Sequence, residues 1–252
     1  MFIIGGHEDK DGTREILSAI AQSLPRPKLV LATMASRHPD GYLDAYSTAF
    51  DGLAEIEIVE LTGHDPQLGV LDDAGGIFFS GGDQRRIVEQ MAATELERRV
   101  QALWRDGGVI AGTSAGASAL GETMIERGPG DESYRVGEVE LGEGLGLVPG
   151  VIIDQHFAER GRIGRLVGAV AASPTTLGIG IDENTAITLE GDRFTVIGDG
   201  SVYVIDGRES THANAGSAGS GTSLSFHGVL MNVLSHGDRF DLGARVPTAA
   251  DR

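Results

Sequence analysis

The stretch Val109-Ile110-Ala111-Gly112-Thr113-Ser114-Ala115-Gly116-Ala117-Ser118-Ala119 decides how this chain is read. An apolar run ends in Gly-x-Ser-x-Gly and passes at once into small residues able to open a helix. A strand-to-helix turn of this kind lifts a serine hydroxyl out of the edge of a sheet. Only small residues fit it, because the turn is tight and lies against the adjoining strand. Ser114 is therefore a candidate nucleophile at the carboxyl edge of an α/β sheet; a plain tight turn is the alternative reading.

The surrounding chain supplies such a sheet. Short apolar runs at Phe2 to Ile4, Lys28 to Thr33, Ile56 to Leu61, Gly76 to Phe79, Val109 to Ala111, Val151 to Ile153 and Leu177 to Ile181 read as strands buried on both faces of a largely parallel sheet. Between them Thr13 to Gln22, Tyr42 to Leu53, Glu95 to Trp104 and a segment from about Gly161 to Ala172 carry apolar residues at helical spacing. After Glu183 the rhythm changes to strand, turn, strand, at Ala186 to Leu189, Phe194 to Ile197, Val202 to Ile205 and Leu230 to Leu234. Gly-Asp-Arg-Phe occurs at Gly191 to Phe194 and again at Gly237 to Phe240, two similar turns rather than a repeat fold. The expected organisation is one α/β domain over residues 1–242. It holds a flexible Gly/Ser-rich loop at 207–223 and ends in a disordered tail at 243–252.

Composition removes several functions. With 252 residues, 20 Lys+Arg and 37 Asp+Glu, the formal net charge is −17, the opposite of a nucleic-acid-binding surface. There is no cysteine, so thiolate nucleophiles, thiolate metal sites and disulfides are all excluded. The opening Met1 to Gly6 is too short an apolar run for a leader, and no window approaches the roughly 20 apolar residues that span a bilayer. A soluble, cytoplasmic protein is expected.

Sites in parallel α/β sheets lie at the carboxyl ends of strands, and a serine there needs a base. Of seven histidines, His38, His64 and His212 fall in polar loops, and His227 and His236 flank a late strand. His7 follows the first strand and competes for the role. His156 is the best placed, just after Val151 to Ile153 within Asp154-Gln155-His156-Phe157. Asp182-Glu183, after Leu177 to Ile181, offers two carboxylates to orient an imidazole; alternation allows one of them to serve and does not say which. The backbone N–H of Ala115 and one from Ser80-Gly81-Gly82-Asp83-Gln84 would form an oxyanion hole. Arg160, Arg162 and Arg165 make a cationic segment beside His156 in an acidic protein, suited to a carboxylate-bearing substrate or else to a solvated helix face.

Gly112 to Ala117, Gly81-Gly82-Asp83-Gln84, Asp154 to Phe157 with the three arginines, Gly180 to Ala186 and the opening Ile3 to Lys10 together resemble the cyanophycinase family of serine peptidases, relatives of the aspartyl dipeptidases. The likeness runs in order over about residues 2 to 242. It implies a class I glutamine-amidotransferase-like fold: a mostly parallel sheet flanked by helices, with extra C-terminal antiparallel strands. It also implies a serine-type exopeptidase that cleaves cyanophycin, an arginine-bearing polyaspartate, to β-Asp-Arg dipeptides, and that works as a homodimer without metal or cofactor. By position it makes Ser114 the nucleophile, His156 the base and Glu183 the carboxylate. Gly82 and Ala115 stay the oxyanion-hole residues expected from the turns themselves, while Gln84, Asp154, Gln155, Arg160, Arg162 and Arg165 match positions that line the family's substrate site. There the arginines would hold carboxylates and the acids the substrate's guanidinium. The seven acids between Gly121 and Gly150 could form an acidic rim, though they read more simply as a solvated loop. Other readings are an aspartyl or isoaspartyl dipeptidase of the same fold, an α/β-hydrolase esterase using Ser114, Asp182 and His227 or His236, and a non-catalytic binding homologue.

Overall fold

Alternation along a three-residue strand sets the layers. In β1 (Phe2–Ile4) Phe2 and Ile4 pack with Ile16, Leu17 and Ile20, whereas Ile3 turns the other way to join Ile77, Ile110 and Ile153. The computed structural model describes residues 1–63, 67–129 and 134–250 of the chain. After β1 come α1 (Glu15–Ser23), β2 (Lys28–Ala32), α2 (Tyr42–Phe50), β3 (Glu57–Leu61), β4 (Gly76–Phe79), α3 (Gln84–Met91), α4 (Glu95–Arg105) and β5 (Val109–Thr113). The five strands lie parallel in the order β1-β5-β4-β2-β3. Helices α1 and α2 cover one face, and their apolar stripes supply that side of the core.

The second half begins with α5 (Ala115–Ala119), β6 (Gly121–Arg127), β7 (Glu140–Glu143), β8 (Val148–Gln155), α6 (Ile163–Ala172) and β9 (Leu177–Ile181). Then follow β10 (Thr185–Glu190), β11 (Arg193–Gly198), β12 (Val202–Asp206), β13 (His212–Ala213), β14 (Phe226–His227), β15 (Leu230–Leu234), β16 (Arg239–Asp241) and β17 (Val246–Thr248). Four of these, β10, β11, β16 and β17, extend the first sheet antiparallel from β1, to nine strands. Six others form a second sheet, β15-β12-β9-β8-β6-β7, parallel only at its centre. The two sheets share one apolar core in which α5 is buried, and α6 covers the outer face of the second.

Several expectations change. β8 and β9 do not neighbour β5 in one sheet but belong to the second. The tail from Gly243, expected to fray, adds β17 to the open ladder of β16, with Phe240 opposite Pro247; residues 251–252 lie outside the described residues. The Gly/Ser-rich stretch is tied down by the β13/β14 pair, by the Arg135–Ser223 bridge and by the Val136 N–H donating to Thr222 O at 2.9 Å. Of the two Gly-Asp-Arg-Phe turns, the first closes the β10/β11 hairpin and the second crosses from β15 in one sheet to β16 in the other. Their phenylalanines, Phe194 and Phe240, stack at 5.5 Å. His64 and part of the acidic stretch, 130–133, fall outside the described residues. No described helix is long and apolar enough to cross a membrane.

Candidate active site

Ser114 follows β5 with φ 53° and ψ −115°, a backbone that an L residue adopts only under strain of about 1–3 kcal/mol. The small neighbours explain how the turn fits. A Cβ on Gly116 would stand 2.2 Å from the carbonyl oxygen of Phe79, and one on Gly112 would stand 2.5 Å from that of Gly116. The turn is also tied to β1, since the Ser114 N–H donates to Ile4 O at 3.0 Å. Its hydroxyl opens on a cleft of about 920 Å³.

The Ser114 Oγ lies 2.9 Å from Nε2 of His156, and His156 Nδ1 lies 2.6 Å from Oε1 of Glu183. A carboxylate accepts only, so Nδ1 carries the proton and Nε2 is left to accept from the serine. Of the two neighbouring carboxylates, Glu183 is the one that meets the imidazole. Asp182 instead accepts the backbone N–H groups of Ala158 at 2.9 Å and Ser201 at 3.0 Å. Burial holds the His156 pKa below its ordinary value of 6.5, against the opposing pull of Glu183, with Arg160 and His7 adding to the lowering. The imidazole is therefore neutral, and able to take a proton, at neutral pH. For Glu183 burial pushes upward, but hydrogen bonds from His156 and from His7 outweigh it and keep the carboxyl below its usual range.

Serine and histidine come from different sheets, and the loop after β1 joins them. The His156 N–H donates to Gly5 O at 2.8 Å, and the Asn184 N–H donates to Gly6 O at 2.9 Å. Gly6, at φ 103°, is the shelf under the imidazole, because a Cβ there would lie 2.3 Å from the ring. Gly81 stands over the nucleophile, where its Cβ would meet that of Ser114 at 3.4 Å. Gly82 lines the same cleft, and Ala115 is the first residue of α5, whose N–H has no intrahelical acceptor.

Gln84, Gln155, Arg160, Arg162 and Arg165 all line the cleft. Gln155 Oε1 is 3.4 Å from the serine hydroxyl, and the Gln84 amide donates to Ile125 O at 2.6 Å. Asp154 is the exception among the expected substrate-binding residues. It is wholly buried, its carboxylate gripped by Arg165 through Nε at 2.7 Å and through Nη2, and approached by Arg162 Nη1 at 3.4 Å. A carboxylate saturated in this way is closed to a substrate guanidinium; it fixes two arginines instead. Arg162 also donates to Gln155 O at 2.5 Å, while its buried Nε has no partner and burial pushes its pKa down to about 10. Two cations share one anion beneath the cleft, and exposed Arg160 adds a third.

Sequence reasoning missed Glu8. Buried beside the cleft, it accepts from Tyr46 Oη at 2.6 Å, Lys10 Nζ at 2.7 Å and Thr113 Oγ1 at 2.6 Å. Burial raises its pKa, but the Lys10 charge and the three hydrogen bonds outweigh that and leave it ionised. The signal was present in the tetrapeptide His7 to Lys10, set two glycines after a fully buried strand. His7, the competitor for base, meets the other oxygen of Glu183 at 2.8 Å, so His7, His156 and Glu183 form the one cluster among the described residues with the donors to hold a metal ion. His227 pairs with His212 and Ser225, and His236 with Glu15; neither lines the cleft, which removes the esterase arrangement.

The sequence pattern of peptidase family S51 matches residues 1–197. The cyanophycinase of Trichormus variabilis is 38% identical over 97% of this chain and 86% of its own length. That of Geminocystis herdmanii is 34% identical over 99% and 96%. In fold the chain is similar to the crystal structure of a peptidase from an acI-B1 actinobacterium, with a TM-score of 0.68 over 95% of both chains at 20% identity. Family pattern and near-full-length relatives agree: this is a serine-type peptidase that belongs to peptidase family S51, among its cyanophycinases.

Proposed function

We propose that the chain hydrolyses cyanophycin to β-Asp-Arg dipeptides through an acyl-serine intermediate. The observation that carries this reading is the hydrogen-bonded series Ser114, His156, Glu183 opening on a cleft floored by three arginines and one buried carboxylate. His156 Nε2 takes the Ser114 proton as Oγ attacks a backbone carbonyl of the substrate. The resulting imidazolium is stabilised by Glu183 and then gives its proton to the leaving amine. Backbone N–H groups of Gly82 and Ala115 hold the oxyanion. Water, deprotonated by the same histidine, releases the dipeptide from the serine ester. No step calls for a metal or cofactor.

Charge supports the substrate class. The floor beneath the cleft is cationic even after Asp154 is counted, and a free carboxylate on each arginyl-aspartate unit would neutralise it. The cyanophycinase relatives favour the polymer over a simple aspartyl dipeptide. The test is release of soluble dipeptide from insoluble cyanophycin by wild type and by Ser114→Ala, with Asp-X dipeptides as competing substrates. Turnover of cyanophycin that disappears in the variant is expected. Full activity in Ser114→Ala, or cleavage of dipeptides alone, would overturn the reading. We further infer a cytoplasmic homodimer that engages neither nucleic acid nor membrane. The exposed apolar residues Leu230, Met231 and Val233 on edge strand β15 support the dimer, which light scattering will measure.

A further inference from the structure

The Glu183 carboxylate is held by two imidazoles, although orienting one base requires only one. Oε1 faces His156 Nδ1 at 2.6 Å and Oε2 faces His7 Nδ1 at 2.8 Å, and the offered ligand atoms all lie within 4.8 Å of one another. The two rings stand edge to face, 5.0 Å apart. Two imidazole nitrogens and a carboxylate oxygen are a zinc donor set. Zinc binds such atoms at about 2.0–2.2 Å and so needs them roughly 3.3 Å apart. Both nitrogen–oxygen contacts are shorter than that, so they must open to admit the ion, while no two of the offered atoms stand farther apart than 4.8 Å. The set is also organised in advance. His7, His156 and Asn184 all sit at positive φ, and the loops carrying them are tied together through Gly5 and Gly6. An ion can reach it from solvent, since the side chains of His7 and Glu183 are 69% and 25% exposed while that of His156 is 4%.

We propose that His7, Glu183 and His156 form an inhibitory site for zinc, in which the metal holds the triad in an inactive tautomer. This rests on the reading of His156 as the base. For His156 Nδ1 and His7 Nδ1 to ligate the metal, the proton that each donates to Glu183 must leave to solvent, and Nε2 of each ring takes one up from solvent in its place, so the His156 ring stays neutral. Its Nε2–H can then only donate to Ser114 Oγ and cannot accept the serine proton. A water from the cleft completes four ligands. Magnesium and calcium, which prefer six or more oxygen ligands, do not suit the set. Loss of zinc restores the catalytic tautomer without any movement of the backbone.

The test uses the full chain and two readouts. Cobalt(II) chloride is titrated into wild type, Ser114→Ala and His7→Ala, following the visible absorption of a four-coordinate nitrogen and oxygen site, and zinc is then added to displace it. Dipeptide release is measured against zinc chloride and against magnesium chloride, each variant relative to its own metal-free rate. Wild type and Ser114→Ala are expected to bind one equivalent. His7→Ala should bind at least about tenfold more weakly, and its inhibition by zinc should weaken by the same factor. His7→Gln, which keeps a donor to Glu183 but is a poor replacement for an imidazole, repeats the comparison if alanine disturbs the loop. No cobalt absorption in wild type, equal affinity in the His7 variants, or equal inhibition by magnesium would overturn the proposal. Because Ser114→Ala binds metal without turning over, failure of the metal site is told apart from failure of the catalytic reading.

Discussion

Ser114 occupies a conformation that glycine would hold without cost, and it does so at the position where a hydroxyl is required. Ser114→Gly and Ser114→Ala both lack the hydroxyl and differ in the Cβ. The glycine variant should therefore be more stable by about 1–2 kcal/mol in urea unfolding, the strain less the extra backbone entropy that glycine loses on folding. The base makes a second residue-scale prediction. Burial lowers the His156 pKa, so the imidazole is neutral down to a pH below its ordinary 6.5 and the acid limb of kcat/KM should bend below that value. An inflection at or above 6.5 would contradict the burial argument. At this scale strand ends were the useful signal: they pointed to Ser114, His156 and the pair Asp182-Glu183, and Ser114, His156 and Glu183 lie in one hydrogen-bonded series. The family likeness placed Asp154 in the substrate site, but a position beside His156 does not say which side of the strand a carboxylate faces, and here it faces inward onto two arginines.

Among elements, the connecting loops carry the precision. Four of the seven non-glycine residues at positive φ among those described, His7, Ser114, His156 and Asn184, belong to four loops that hydrogen-bond to one another or to β1. Gly6→Ala places a methyl 2.3 Å from the imidazole and should lower kcat by about a hundredfold while circular dichroism stays unchanged, since a displacement near 1 Å suffices for such a loss. A kcat within a few-fold of wild type would show that the ring is not set by this shelf. Elements with clean periodicity were legible, among them β1, β4 and β9, whose ends agree with the apolar runs. Helix α3 was not, because its first turn reads Gln-Arg-Arg and only Ile87 and Met91 are buried, one pair four residues apart. β6 was hidden by exposed Glu122 and Arg127 and half-buried Glu126, and β17 by a proline and by having only three residues, all exposed.

For the whole molecule, the alternation of strands and helices identified an α/β protein but not that its strands divide between two sheets. Burial on both faces is the same signal whichever neighbour a strand has, so β8 and β9 carry no local mark of belonging to a different sheet from β5. The division has a functional result. Ser114 follows a strand of the first sheet, His156 follows a strand of the second, and Glu183 lies in the short connection from β9 in the second to β10 in the first. The serine–histidine bond therefore spans the seam between two stacked layers, and a slip of one layer over the other by an ångström breaks it while both hydrogen-bond ladders stay whole. Peptidase activity should fail at a lower urea concentration than far-ultraviolet circular dichroism does, and coincident midpoints would exclude such a slip. The active site is in effect a strain gauge laid across the joint, reporting a loosening of the molecule before any of its secondary structure is lost.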